Sequence, residues 1–405
     1  MKSRNANLLV AVTSLCLLST PSSLMAQQQT QQKLPPVHYH ITDLGTLGGT
    51  YSSAFSVSDP GFVSGVATLA NGTEHAILWY RGKKLDIGAP GLGKGGATTL
   101  DSIAYTVNGL AQAVGSAEPS GQEKDSENFC SFGSGLRCLP FRWQTGVMTA
   151  LPTFGGKNGA AVSINDFGQA AGVAEEETTD AHCVAPQTHD FDAAVWGPGK
   201  GEIQKLRPFP GDSVGAAVWI NDKGQIVGVS GSCGNTQLPP LVGGPRAVLW
   251  ENGSVLDLGN LGGPCLNGCK SAALGVFGNT ALFISNRGLA VGASALEGEQ
   301  TFHAFSWTKE RGKMQDLGTV PGDYASVALA ANDQGEIVGL SIDKTGVPRA
   351  FLRRNGVMID LNTLLPANSP IYALVAQLIN SSGEIAGFGV TSSGQTHAFL
   401  ATPCP

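Results

Sequence analysis

DLGTLGG, from Asp43 to Gly49, is the phrase on which the fold turns, because it comes back along the chain. It returns as DIGAPGLG from Asp86, LPTFGG from Leu151, LRPFPGD from Leu206, DLGNLGG from Asp257, DLGTVPGD from Asp316 and DLNTLLP from Asp360. A unit of this size cannot bury an apolar face by itself, so successive copies must pack on one another.

The sixth copy, from Asp316 to Ile359, separates into four strand-like pieces. SVALAAN is followed by the turn Asp333-Gln334-Gly335, then EIVGLSI, a polar loop with Gly346 and Pro348, RAFLRR, the turn Asn355-Gly356, and VMIDLNT. Short apolar runs punctuated by Gly, Asn, Asp and Pro are strands and turns. The first turn recurs as NDFG from Asn165, NDKG from Asn221, NRGL from Asn286, NDQG from Asn332 and NSSG from Asn380, with SDPG from Ser58 and a shortened NGL from Asn108. Each string offers too few oxygen ligands for a calcium loop, so it reads as a hairpin turn. The third strand recurs as HAILW, PFRW, AAVW, RAVLW, HAFSW, RAFLR and HAFLA. Five of the six tryptophans end it, which marks a packing position between units; Trp219 alone stands elsewhere. The histidines that start it, His75, His303 and His397, read as surface polar residues.

Units of about fifty residues with four short antiparallel strands suit a β-propeller blade. The last copy stops after its third strand, and VHYHITDLG near the start reads as a lone fourth strand. The expected fold is all-β: a seven-bladed β-propeller of four-stranded antiparallel blades, closed by the N-terminal strand pairing in the last blade across residues 37–403. Closure would hide strand edges that otherwise invite aggregation. Glycine-rich crossings without a following helix or a Lys-Ser/Thr ending are not phosphate loops.

Lys2 and Arg4 precede the apolar run Leu8 to Ser19, and small residues end at Ala26. This predicts a signal peptide over 1–26 and a flexible leader over 27–36. No second long apolar run predicts a membrane span. The chain carries 25 basic and 31 acidic residues, a balance that argues against nucleic acid. Its 55 glycines and 14% charged residues describe a turn-rich β protein. A secreted, periplasmic or cell-surface location makes disulfides the expected fate of cysteine. Cys130–Cys138 and Cys265–Cys269 are expected within loops, and Cys183–Cys233 between adjacent blades. Cys404 is left over. CLNGC at Cys265 lacks a second close ligand pair, so no metal is expected, and no cofactor.

HAF at His303 and His397, DLGTLGG, and INDKGQIVG from Ile220 recur in fixed order. In these motifs the chain resembles the HAF-family extracellular repeat proteins of bacteria, over about residues 37–402. The second and third copies depart from it, with PFRW and AAVW in place of the His-Ala-Phe start. The resemblance implies export and a repeat fold; it implies no activity and no catalytic residues.

Long inserts join the second and third strands at Glu118 to Leu139, Glu175 to Asp190 and Gly231 to Pro245, on the face shared with the crossings. Long loops on one face point to a binding surface. Just after the crossings, Tyr51, Lys157, Asp212, Asp323 and Tyr324 make a candidate ligand face for an extracellular glycan or protein. A monomeric, non-catalytic binding protein is the first expectation. The alternative is a propeller hydrolase or lyase acting on glycans, whose acid and base would come from Glu175, Glu176, Glu177, Asp180, Asp190, Asp212 or Asp323, with His182 or His189.

Overall fold

The computed structural model describes residues 37–88, 100–119, 126–199, 201–238, 243–265 and 278–404; the expected signal peptide and leader, and Cys269, lie outside these. Strands dominate, and a single short 3-10 turn (Leu361–Leu364) is the only helical element among the described residues. After β1 (Tyr39–Asp43), strands come in fours. The first four are β2 (Gly48–Val57), β3 (Val63–Leu69), β4 (Glu74–Tyr80) and β5 (Lys83–Asp86). Next come β6 (Ser102–Val107), β7 (Ala113–Ala117), β8 (Leu139–Gln144) and β9 (Val147–Ala150). The third set is β10 (Gly155–Ile164), β11 (Ala170–Thr179), β12 (His189–Trp196) and β13 (Ile203–Leu206). The fourth is β14 (Val214–Ile220), β15 (Ile226–Gly231), β16 (Arg246–Glu251) and β17 (Ser254–Asp257). The fifth is β18 (Thr280–Ile284), β19 (Ala290–Ala295), β20 (Phe302–Trp307) and β21 (Gln315–Asp316). The sixth is β22 (Ala325–Ala331), β23 (Ile337–Ile342), β24 (Pro348–Arg354) and β25 (Val357–Asp360). The chain ends on β26 (Ile371–Ile379), β27 (Ile385–Thr391) and β28 (Thr396–Pro403).

Every consecutive strand pair within a set is antiparallel. β1 joins the last three strands by pairing antiparallel with β28, from Tyr39 opposite Pro403 to Asp43 opposite Phe399. One parallel bridge, Tyr51 to Thr396, merges this group with β2–β5 into a mixed eight-stranded sheet. The other five sheets have four strands each. The first strand of each set packs on the second strand of the set before: β6 on β3, β10 on β7, β14 on β11, β18 on β15, β22 on β19, β26 on β23, and β2 on β27.

The recurring glycine of the second strand has a steric cause. A Cβ on Gly115, Gly172, Gly292 or Gly339 would stand 1.9 Å from a first-strand carbonyl oxygen. The first strand bulges there in each set, as between Ala104 and Thr106 or Ala328 and Ala330. An aromatic ring from the third strand, such as Phe141, Phe305 or Phe351, closes over the same glycine. Only glycine admits such close backbone approach.

The repeated phrases are hydrogen-bonding devices. Asp43, Asp257 and Asp316 accept the N–H two residues on, from Gly45, Gly259 and Gly318, at 2.7–2.8 Å. Those glycines take φ of 64°, 82° and 69°, a left-handed backbone that suits glycine. In the seventh copy Asn362 replaces the glycine, and Asp360 instead caps the 3-10 turn. Aspartates of the crossing phrases also meet the third strand: His75 lies 3.0 Å from Asp86, His303 3.0 Å from Asp316, and His397 2.9 Å from Asp43. Arg246 and Arg349 replace histidine opposite Asp257 and Asp360, at 3.7 and 3.5 Å. The histidines read from sequence as plain surface residues are thus cross-strand partners of the crossing phrase. Trp79, Trp196 and Trp250 are buried and donate Nε1–H to the carbonyls of Leu44, Pro152 and Arg207, tying each third strand to the crossing that enters its own set.

The Asn-Asp turns also do more than reverse the chain. Asn108 Nδ2 donates to Asn165 O, Asn165 to Asn221 O, Asn221 to Ser285 O, Asn332 to Asn380 O, and Asn380 to Ser58 O. A parallel set links backbone N–H to the next carboxylate or carboxamide: Gly109 to Asp166, Asp166 to Asp222, Asp222 to Asn286, Arg287 to Asp333, and Ser381 to Asp59. Asparagine holds the turn and reaches its neighbour; aspartate receives the neighbour's N–H. That division of labour explains why both recur.

Candidate functional site

The inserts converge beside the start of β10. Cys130–Cys138 closes the end of the first insert, and Cys183–Cys233 joins the second to the third, the pairs expected from their place in the inserts. Cys265 is disulfide-bonded, while its expected partner Cys269 lies outside the described residues. Beneath, Phe129, Phe191, Cys130, Cys138 and Cys233 pack in one apolar cluster. An oxidised, apolar floor therefore fixes the loops, while β11 and β12 extend into the second insert as far as the Thr179–His189 pair.

Over this floor lies a buried polar knot. Glu127 and Glu175 are 3% and 0% exposed. Asn158 Nδ2 donates to both, at 2.9 Å to Glu127 and 3.1 Å to Glu175. Glu127 Oε1 accepts from Thr188 N, Thr188 Oγ1 and His189 N, with His189 Nδ1 at 2.9 Å. Glu175 accepts from Gln187 Nε2, Lys157 N and Asn158 N. Burial, reinforced by the charge of Glu127, pushes the Glu175 carboxyl up to about 7, against the donors that favour its charge. Burial acts on Glu127 too, but the hydrogen bonds from Thr188 and His189 outweigh it and bring that carboxyl down to about 2. One proton on Glu175 lets the pair sit side by side.

Glu127, Glu175 and His189 offer three ligand atoms within 4.8 Å of one another. Each of the four carboxylate oxygens already accepts an N–H, so a cation would have to displace protein donors. The donor set fits a proton better than a metal ion. On the far side of the sheet Lys205 bridges Asp192, at 2.8 Å, and Glu176. Burial and then hydrogen bonding to Glu176 raise Asp192 to about 7.

The candidate ligand-face residues fall into different settings. Lys157 is exposed, with its backbone N–H on Glu175. Tyr51 is half-buried and bonded through its backbone to Thr68. Asp212 and Asp323 form ion pairs with Arg246 and Arg349 at 3.2 and 3.1 Å. Tyr324 accepts Thr301 Oγ1 through its carbonyl. Of the candidate acids and bases, Glu175 and His189 enter the knot, Glu176 pairs with Lys205, Asp180 with the exposed His182 at 2.7 Å, Asp190 is half-buried, and Glu177 is exposed. Glu127 and Asn158 are the residues sequence reasoning missed. Nothing local marks them, since their partners lie 17 to 62 positions away.

No protein-family model matches the chain, and no curated protein does. Among solved structures it is similar to a puromycin-hydrolyzing peptidase of Mycobacterium tuberculosis, at 12% identity and TM-score 0.39 over 87% of this chain and 57% of that one. It is similar to Trypanosoma rangeli sialidase at 8% identity and TM-score 0.39, over 90% of this chain and 55% of that one. A mutant of AofleA from Arthrobotrys oligospora is similar at 13% identity and TM-score 0.34, over 80% and 88%. The chain spans little more than half the length of the peptidase and the sialidase. At such identities and scores no activity is carried over.

Proposed function

We propose that the chain is a seven-bladed β-propeller closed by its N-terminal strand, that it is exported, and that it works as a non-catalytic binding protein. Closure is supported by links that bring the last strands against the first: Asn380 to Ser58, Ser381 to Asp59 and Ala398 to Ser52. Export is supported by the disulfides, which an oxidising compartment favours. Among the described residues no helix is long and apolar enough to cross a membrane. The HAF-type phrases support membership of that bacterial repeat family.

Binding through the insert-bearing face rests on one observation. The Glu127–Asn158–Glu175 knot fixes separate inserts together, and each of its four carboxylate oxygens accepts from a protein donor. A general acid or base needs a proton or lone pair aimed at substrate. A rigid loop surface spends little entropy on binding. The ligand class is an extracellular polysaccharide or protein. A glycan-array screen of the exported chain tests this: saturable hits lost on Cys183→Ser support it, and hits indifferent to that change contradict it.

A second reading, a glycan hydrolase or lyase, is favoured by the unequal carboxyls of Glu175 and Glu127, a division that acid–base pairs use. Turnover of an array hit, abolished in Glu175→Gln, would establish it in place of binding.

A further inference from the structure

A cavity of about 170 Å³ opens at the turn ends of the first strands, opposite the inserts, and all seven first strands line it. Its wall is uneven. Two positions before each turn the copies place Ser56, Thr106, Ser163 and Ala330, but also Trp219, Phe283 and Leu378; all of these but Ser163 and Ala330 line the cavity. Trp219 and Phe283 lie with ring centroids 4.4 Å apart, and Trp219 is half-buried. Trp219 is the one tryptophan outside the repeated third-strand position. Four copies pack with small residues here, so packing alone does not demand an aromatic pair.

The rim supplies the second half of the site. The turn asparagines are satisfied: Asn165, for example, donates to Gln169 and Asn221 and accepts from Phe167 and Gln169. Asp59, Asp166, Asp222 and Asp333 each accept one backbone N–H from a neighbouring unit, and Asp222 also accepts from Asn286 Nδ2 at 2.7 Å. Carboxylates have further lone pairs, so the rim offers acceptors and hardly any donors. Lys223 and Arg287 occupy turn positions beside it and offset part of the charge, leaving four aspartates against two cations.

We infer that this cavity binds a primary ammonium group carried on a short apolar stem, held between the Trp219–Phe283 pair and the aspartate rim. An aromatic face attracts a cation, and a rim of acceptors selects a ligand made of donors. The same chemistry is presented by a free alkylamine and by a lysine side chain of a partner protein.

Calorimetry on the full chain tests it, with n-butylammonium, a short lysine peptide, the same peptide acetylated on lysine, and n-butanol. The expected result is one saturable site for butylammonium or the lysine peptide, and none for butanol or the acetylated peptide. Preference for butylammonium assigns a free amine; preference for the peptide assigns a partner's lysine. Asp166→Asn and Asp59→Asn keep an oxygen for the neighbouring N–H and should each weaken binding roughly 2- to 5-fold. Trp219→Ala should weaken it roughly 5-fold or more while Trp219→Phe retains it. Equal responses to butylammonium and butanol, no saturable response, or folded aspartate variants that bind like the parent would overturn the site. Glycan binding at the insert face stands or falls separately.

Discussion

His397 Nδ1 and Asp43 lie 2.9 Å apart although 354 positions separate them. The pair repeats, across the ends of the chain, what His75–Asp86 and His303–Asp316 do within single sets of strands. The N-terminal strand therefore occupies the place of a fourth strand in the last unit. Tyr39 and Ile41, each 2% exposed, give that strand its apolar anchorage. Removing residues up to Asp43 should cost about 4 kcal/mol in side-chain burial alone. It also bares the edge of β28. A melting temperature lower by about 5 °C or more, with aggregation, is expected in a thermal scan. Asp43→Ala alone should cost under about 1 kcal/mol, because that ion pair is partly exposed.

Asn380→Ala tests the belt of turns. The side chain donates to Ser58 O and Glu384, and accepts from Ser382 N and Glu384 N. Losing it strands buried backbone groups, at a cost of about 2–4 kcal/mol in denaturant unfolding. A change below about 0.5 kcal/mol would mean that the turn works without its cross-link.

Cys183–Cys233 spans 50 positions and Cys130–Cys138 spans 8. On the loop-entropy account, breaking the first should cost about 4 kcal/mol and the second about 2.5 kcal/mol. Single-bridge serine variants, unfolded in denaturant, give the comparison. The reverse order would place the main restraint on the inserts in the polar knot.

The carboxyl pair sets a pH dependence. Glu175 titrates near 7 when folded and near 4.5 when unfolded, so the folded state holds the extra proton between those values. Stability from this group is complete below about 4.5 and is lost as pH rises through 7. Asp192, raised to about 7, acts in the same direction from 3.8 upward. Glu127, lowered to about 2, acts oppositely: its contribution is present above 4.5 and disappears as pH falls through 2. Thermal stability should therefore peak near pH 4–5 and decline toward pH 8. Glu175→Gln, which needs no proton, should flatten about 3 kcal/mol of that decline. A wild-type profile flat from pH 4.5 to 8 would contradict the shared proton.

Much of the fold was legible because its devices are local. The Asp-x-Gly turn closes over two residues, and the glycine that admits a bulge recurs at one position of the second strand. The His–Asp pairs were not read, because register decides them: the hairpin turn puts 11 positions between His75 and Asp86 and 13 between His303 and Asp316. The belt was half read. A hairpin needs an asparagine or an aspartate, and the recurrence of both was the unread signal of a second partner. At the candidate site, Glu175 and His189 were legible as titratable residues in an insert. Glu127 was not, since only folding brings it to Thr188 and His189 from 61 and 62 positions away.

A cross-link between the two ends tests closure most directly. His40 stands opposite Thr402 in the β1–β28 pair, and exposed Cys404 can first be replaced by serine. Cysteines placed at positions 40 and 402 should oxidise to an intramolecular disulfide in nearly every native molecule, found by peptide mapping without reduction. Two free thiols under native conditions, or links only between molecules, would mean that the ends do not meet and the ring is open.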